Sequence, residues 1–174
     1  MWGEQLMTNQ LYNQAQAFHR FFDDREPAAP KKLQQADLMN RVGFILEELT
    51  ELAVSNCDKE EEIAQTFQEI NRRLLAAKEK IMTKGMNQND VIVQQADSLG
   101  DIIYLSFGSY VLMGVDPTEI LDIIHNANMQ KLFPDGTVHR DKVTNKVLKP
   151  VRWAEKYAPE RQIKQVIKIG RASC

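Results

Sequence analysis

The feature that most restricts the fold is a long apolar segment without charge. No charged residue occurs between Asp101 and Asp116, and large apolar and aromatic side chains follow one another there without a polar stripe. A helix that is apolar on every side is typical of a protein interior, since any exposed face would leave apolar surface in water. The segment therefore predicts a central helix that its neighbours cover on all sides. Because Asp101 begins this segment, we expect its carboxylate in or near the core.

Apolar residues recur at helical spacing along most of the chain, which predicts five helices. The first, second and fifth helices are expected at about 5–22, 34–56 and 116–131. The third is expected to begin after an N-cap at Asp58 and to end near residue 83. The fourth is expected to begin after an N-cap at Asn87 or Asn89 and to end at residue 113. Residues 137–140 and 146–148 are predicted as a short hairpin, and 159–169 as a further helix or a strand. The predicted fold class is an all-α bundle of about five helices with a short C-terminal hairpin or irregular tail.

A chain of 174 residues is long enough for one domain with a full hydrophobic core. We expect a single domain over 1–174, with a helical core at 1–131 and a basic tail at 132–174. Residues 1–130 carry a net charge of −9 and residues 131–174 a net charge of +7. This asymmetry permits nucleic-acid binding, or a site where carboxylates hold cations and basic residues hold an anion. The second is favoured because the basic residues of the tail are dispersed.

Other classes of protein are disfavoured by the sequence. No apolar run reaches the roughly 18–20 residues that a membrane span requires, so no membrane contact is expected. The first residues lack the basic and apolar segments of a secretory signal. Cys57 and Cys174 form neither a CxxC motif nor a disulfide framework. These observations favour a cytoplasmic protein.

Acidic side chains interrupt two of the apolar helices at one-turn spacing. Glu48 and Glu51 share a face of the second helix, whereas Glu47 points about 100° away from Glu48. Asp97 and Asp101 share a face of the fourth helix. Carboxylates gathered on inward faces repel each other, and a divalent cation would relieve that repulsion. An all-oxygen ligand set favours Mg²⁺, with Mn²⁺ as an alternative, over Zn²⁺.

Two other interpretations of these acids stay open. They can pair with Arg41 or with tyrosine hydroxyls and contribute to stability alone. The second interpretation is a di-iron bundle. Each of two helices would then need an acidic residue three positions before a histidine. Asp122 and His125 supply that spacing once in the chain. A redox di-metal protein is therefore the weaker alternative.

These segments resemble those of a known family, the MazG-like all-α nucleoside triphosphate pyrophosphohydrolases, over about residues 33–131. The matching motifs, EExxE and the end of ExxD before an apolar helix, are Glu47-Glu48-Leu49-Thr50-Glu51 and Leu99-Gly100-Asp101-Ile102-Ile103-Tyr104. The tail, through 128–131, 135–136 and 146–149, resembles a branch labelled phosphoribosyl-ATP pyrophosphohydrolase-like. Ser98 stands where the family has an acid, and Asp97 is the nearest substitute.

The resemblance implies a reaction in which a nucleoside triphosphate is cleaved between its α and β phosphates, giving a monophosphate and pyrophosphate. Mg²⁺ would bridge the phosphate oxygens and offset the charge of the transition state. The implied metal ligands are Glu48, Glu51, Asp97 and Asp101. Glu47 or Glu48 would orient and deprotonate the attacking water.

The resemblance also implies substrate-binding residues and a partner. The implied substrate-binding residues are Asn128, Lys131, Arg140, Lys146, Lys149 and Tyr104. The four basic residues would hold the phosphate chain, while Tyr104, Phe44 and Trp153 are candidates for contact with the base or sugar. A homodimer or a dimer of dimers would complete the bundle. The alternative, which Ser98 favours, is a catalytically inactive nucleotide-binding or regulatory oligomer of the same fold.

Overall fold

A computed structural model describes residues 4–85 and 87–172 of the chain, and this part is helical, without a β-sheet. Its helices are α1 (Glu4–Phe22), α2 (Gln35–Val54), α3 (Glu60–Lys84), α4 (Val91–Met113), α5 (Thr118–Met129), α6 (Trp153–Tyr157) and α7 (Glu160–Ala172). The predicted all-α fold is confirmed, and the last segment is a helix rather than a strand. The predicted ends differ from the observed ones by a few residues, since end turns depend on local capping.

Two predicted N-caps lie at neighbouring residues instead. The N-cap of α3 is Lys59, and the backbone N–H of Asp58 donates to the Glu62 carboxylate at 2.9 Å. At the start of α4, the carboxylate of Asp90 accepts from the N–H of Ile92 at 3.1 Å. In both places several polar residues precede the first turn, so composition alone does not select the one whose backbone turns into the helix.

The chain divides into two compact units, Met1–Pro30 with Gly100–Cys174, and Lys31–Leu99. In the first unit α1 packs against α5, and α5 packs against α7. Apolar side chains from these elements and from α6 form a core. Its buried members among the described residues are Phe22, Pro117, Ile120, Ile123, Ala127 and Trp153. The predicted basic tail therefore contributes to the core of this unit.

In the second unit α2 packs against α3. None of the residues described in α2, in α3 or in the part of α4 that belongs to this unit (91–99) is buried. The extended segment before α2 is fixed to α4 by one side chain, because the amide of Gln95 accepts from Leu33 N at 2.8 Å and donates to Leu33 O at 3.2 Å. This unit is thus ordered by helix pairing and local hydrogen bonds without a closed core.

The prediction that α4 is covered on all sides is wrong for a single chain. Tyr104 is 79% exposed, Leu105 68% and Leu112 90%. The physical reason is that α4 belongs to none of the helix pairs that pack closely, so its apolar surface stays in water. Despite this surface, none of the described helices has the length and hydropathy needed to cross a membrane.

The predicted hairpin is reduced to a single antiparallel bridge between Arg140 and Val147. The N–H of Asp141 donates to Lys146 O at 2.9 Å, and Asn145 adopts a left-handed φ of 58° that reverses the chain. Asparagine tolerates this conformation better than most residues. The tail therefore holds a tight loop in place of two regular strands.

Candidate functional site

Two of the predicted metal ligands lie on α2. Glu48 and Glu51 share one face of this helix, as their spacing predicts, and both are exposed. Glu47 is exposed as well, and its backbone carbonyl accepts from the Thr50 hydroxyl at 2.8 Å. The expectation of covered, inward-facing acids is wrong for the single chain, because the neighbouring apolar side chains of α2 are themselves exposed. Leu49, for example, is 53% exposed.

The other two predicted ligands lie on α4. Asp97 and Asp101 are one turn apart, and both are exposed, as is Ser98 between them. The expectation that Asp101 lies in or near the core is wrong for the same reason as for α2, since Ile102 next to it is 42% exposed. The local part of the prediction, an acid pair on one helical face, depends only on helix geometry.

These acids suit a hard divalent cation by their chemistry. Glu48, Glu51, Asp97 and Asp101 make no hydrogen bond or ion pair with any residue that the structure describes, so their carboxylate oxygens are available. Mg²⁺ and Mn²⁺ prefer such ligands. Within residues 4–85 and 87–172, however, no group of three or more His, Cys, Asp or Glu is placed to hold a metal ion. Metal binding by these four acids stays a prediction.

A basic cluster forms around Trp153 in the first unit. Trp153 is 6% exposed, and its Nε1–H donates to Ala127 O, in the last turn of α5, at 3.2 Å. The ammonium of Lys131 lies 5.9 Å from the ring centre and that of Lys149 lies 4.6 Å from it. Two of the predicted phosphate-binding lysines are thus brought to one aromatic ring.

Arg140, another predicted phosphate-binding residue, has several protein acceptors. Its guanidinium donates to Asn145 O at 2.8 Å and to Phe22 O at 3.1 Å, and it lies 3.8 Å from the Asp23 carboxylate. These contacts fix the tail loop to the end of α1. Contact between Arg140 and a phosphate stays a prediction, but the observed geometry assigns this side chain a structural role.

Asp23 lies at the centre of a charged cluster that the sequence analysis did not predict. His19 Nδ1 lies 3.1 Å from its carboxylate and Arg25 Nε lies 3.3 Å from it. Partial burial alone would raise the pKa of Asp23, but hydrogen bonds and the charges of His19 and Arg25 outweigh burial and lower it. The i, i+4 spacing of His19 and Asp23 was the available sequence signal.

The remaining predicted substrate-binding residues occupy separate environments. Asn128 is half-buried in the last turn of α5, and Lys146 is exposed in the tail loop. Tyr104 is 79% exposed on α4, which leaves its ring accessible, while Phe44 on α2 is half-buried. Trp153, by contrast, is buried, so its ring packs inside the first unit rather than offering a face to a base.

Comparisons with known proteins agree with the motifs. Residues 15–128 match the sequence profile of a family described as phosphoribosyl-ATP pyrophosphohydrolase. A solved structure from Exiguobacterium sp. 255-15, described as a "putative NTP pyrophosphohydrolase", is similar with a TM-score of 0.81 and 25% identity, over 94% of this chain and 96% of that chain. No curated protein matches. The matched range includes the four acids of the two motifs and Asp97.

Proposed function

Since this chain belongs to the phosphoribosyl-ATP pyrophosphohydrolase family, we propose that it cleaves a nucleoside triphosphate between the α and β phosphates. The general activity, that of a nucleotide pyrophosphohydrolase, follows from the family and from the similar solved structure. The predicted MazG-like relationship is confirmed at the same level. In the proposed reaction water attacks a phosphorus, the anhydride bond breaks, and a monophosphate and pyrophosphate leave.

The observation that carries this proposal is the state of the acids on α2 and α4. Glu48, Glu51, Asp97 and Asp101 sit at one-turn spacing on apolar helices and have no partner among the described residues. Acids that served stability alone would be expected to pair with Arg41 or a tyrosine hydroxyl. Their availability supports ligation of Mg²⁺, or of Mn²⁺ in its place.

The proposed roles divide between the acids. A bound Mg²⁺ would supply charge neutralisation at the phosphate oxygens. Glu48, Glu51, Asp97 and Asp101 are proposed to hold it, while Glu47 or Glu48 orients the water and accepts its proton. Ser98 leaves the second motif one acid short, so Asp97 is proposed to take that acid's place.

The basic residues of the first unit are proposed to hold the phosphate chain. Lys131 and Lys149 are suited to this role because Trp153 gathers both ammonium groups. Asn128 lies in the last turn of α5, one turn before Lys131, and offers an amide to a phosphate or to the nucleotide. Lys146 is the further candidate.

A second copy of the chain is proposed as the partner. Exposed apolar side chains follow one another along α4, among them Ile103 at 58%, Val111 at 76% and Met113 at 63% exposure. A contiguous apolar surface of this kind is typical of an interface. A homodimer, or a dimer of dimers, would cover it and supply the burial that the sequence predicts.

The test is to incubate the purified protein with Mg²⁺ and a panel of standard and modified nucleoside triphosphates, phosphoribosyl-ATP included. The expected product is pyrophosphate together with the monophosphate. Release of single phosphate would reject the assignment of the bond. Absence of pyrophosphate from every substrate, with no metal binding in calorimetry, would reject the enzyme in favour of the inactive nucleotide-binding alternative.

A matched pair of variants tests the acids. Glu48→Gln removes one charge from the proposed site, and we expect turnover to fall by at least about 100-fold. Glu61→Gln removes the same charge from the first turn of α3, at an exposed position outside the motifs, and is the control. Circular dichroism of both variants should match the parent. Equal activity of the two variants would remove Glu48 from the site.

A further inference from the structure

Trp153 closes the end of α5 with a specific hydrogen bond. The carbonyls in the last turn of a helix lack an intrahelical partner. The N–H of Lys131, which would continue the helical pattern to Ala127 O, donates instead to Asn128 O at 3.1 Å. The indole of Trp153 satisfies Ala127 O at 3.2 Å, and the ring is 6% exposed. The ring is therefore held rigidly beside Lys131.

The same ring attracts cations from two separate segments. Lys131 follows α5, whereas Lys149 follows the loop closed by the Arg140–Val147 bridge. Their ammonium groups lie 5.9 and 4.6 Å from the ring centre, within the range of cation–π attraction. Attraction to the ring restricts two long, flexible side chains to the neighbourhood of one indole. Binding of an anion there therefore costs less lysine side-chain entropy than binding to two freely rotating lysines.

Two like charges near one ring favour a polyanion as their ligand. Each ammonium raises the energy of the other, and a phosphate chain with several negative oxygens relieves the repulsion. Lys149 makes no ion pair with any described residue, and the surrounding tail has a net charge of +7 over residues 131–174. The alternative interpretation is that the lysines only neutralise the negative end of α5, in which case they would bind no anion.

We propose that Trp153 is a positioning residue that presents Lys131 and Lys149 as a paired ammonium site for the phosphate chain of the substrate. The identity of that substrate as a nucleoside triphosphate rests on the proposed function. In this proposal Trp153 acts through the two lysines, whereas the sequence-based prediction for it is contact with the base or sugar.

Binding is tested first without turnover, using inorganic tripolyphosphate without metal as the probe. Trp2 is the other tryptophan of the chain, so a Trp2→Phe background makes Trp153 the single indole emitter. We expect saturable binding in calorimetry and a change in Trp153 emission as the lysines turn toward the anion. Lys131→Ala and Lys149→Ala should each weaken binding at least ~10-fold. Lys142→Ala, an exposed lysine of the same tail, is the charge-matched control and should stay close to the parent.

The aromatic ring is tested with two substitutions at position 153. Trp153→Phe keeps a ring but loses the bond to Ala127, and it should bind within ~3-fold of the parent. Trp153→Leu removes the ring, and it should weaken binding roughly 3- to 10-fold. On a substrate that turns over, Trp153→Leu should raise KM by the same factor and change kcat less. A purely structural role would give no rescue by phenylalanine and no selective rise in KM.

The outcomes separate this inference from the proposed function. Lysine-dependent tripolyphosphate binding in a protein that releases no pyrophosphate would support the paired site and reject the enzyme. Pyrophosphate release that Lys131→Ala, Lys149→Ala and Lys142→Ala leave equally unchanged would support the enzyme and overturn the paired site. If Trp153→Leu does not fold, equal binding by the three lysine variants still overturns the inference.

Discussion

The two compact units of the chain differ in how their apolar residues are covered. In the first, Phe22, Ile120 and Trp153 are 4%, 4% and 6% exposed. In the second, none of the residues described in α2 or α3 is buried, although Leu74 and Leu75 are large and apolar. The first unit therefore obtains its core from one chain. The second unit, and residues 100–113 of α4 in the first, need cover from outside to gain comparable stabilisation.

The units differ in their ion pairs as well. In the first, Asp23 and Arg140 join α1 to the tail loop at 3.8 Å. In the second, Glu69 pairs with Arg72 and Arg73, each at 2.7 Å, within one turn of α3. A local pair supports its own helix, whereas a pair between segments supports tertiary structure. The first unit thus has an ion pair between segments in addition to local pairs such as Arg152 with Glu155.

The largest effect is expected in the core of the first unit. Ile123→Ala removes a side chain that is 9% exposed and leaves a cavity, so we expect a loss of about 2–5 kcal/mol in the free energy of unfolding. Chemical denaturation monitored by circular dichroism measures the loss, which should not depend on protein concentration. A loss below ~1 kcal/mol would mean that this core is not what stabilises the first unit.

The next effect concerns the surface of α4. Leu112→Glu places a charge where the side chain is 90% exposed, so it should hardly affect a single chain but should dissociate an assembly. If the parent forms the proposed dimer, its free energy of unfolding should rise by about 1.4 kcal/mol for each tenfold increase in protein concentration. Sedimentation velocity measures the assembly directly.

Val143→Glu is the control for this change. Val143 is 92% exposed in the tail loop, and its replacement adds the same charge at a position where we expect no partner. Assembly through the α4 surface would be rejected if the parent sediments as a monomer at high concentration, or if Leu112→Glu and Val143→Glu dissociate the assembly equally.

Asp23 gives a smaller effect with a defined pH dependence. Its pKa is lowered in the folded protein, so its contribution is present above the unfolded pKa, near 4, and is lost as pH falls through the folded pKa. Asp23→Asn should cost about 1–3 kcal/mol at pH 7, because His19, Arg25 and Arg140 each lose the carboxylate as one of their partners. Unfolding of parent and variant should converge at the lowest pH. A constant difference would assign the effect to shape rather than charge.

Glu69 provides a comparison for Asp23, because its pKa shift is large but the arginines that cause it lie on the same helix. Hydrogen bonds from Arg72 first, and then from Arg73, lower the pKa of Glu69 to about 2. Since the Glu69 side chain is 43% exposed and its partners lie on α3 itself, Glu69→Gln should change stability less than Asp23→Asn at every pH. The same pH series measures both substitutions. A larger loss of stability for Glu69→Gln than for Asp23→Asn would contradict this prediction.

Local features of this chain were predictable from its sequence. Apolar spacing gave the helices, and the three-residue separation of Glu48 and Glu51 gave their common face, since both depend only on helix geometry. The exposure of α4 in the single chain was not predictable, because an apolar pattern favours burial without indicating which element or chain would provide the cover. The positions of Lys131 and Lys149 over Trp153 depend on how the tail folds back onto α5, and no sequence spacing encodes that contact.

The smallest effect tests directly whether the α4 surface is covered. A Cβ added at Gly108, inside α4, meets no atom within 4 Å in the single chain. Gly108→Ala should then stabilise a free chain by about 0.5–1 kcal/mol, since alanine loses less backbone entropy in a helix. In the Leu112→Glu background, where the assembly is dissociated, we expect the full gain. In the parent the added methyl would meet the second copy, so the gain should shrink or reverse. Equal gains in both backgrounds, measured by denaturation at one concentration, would mean that this face of α4 stays in water even in the assembled protein.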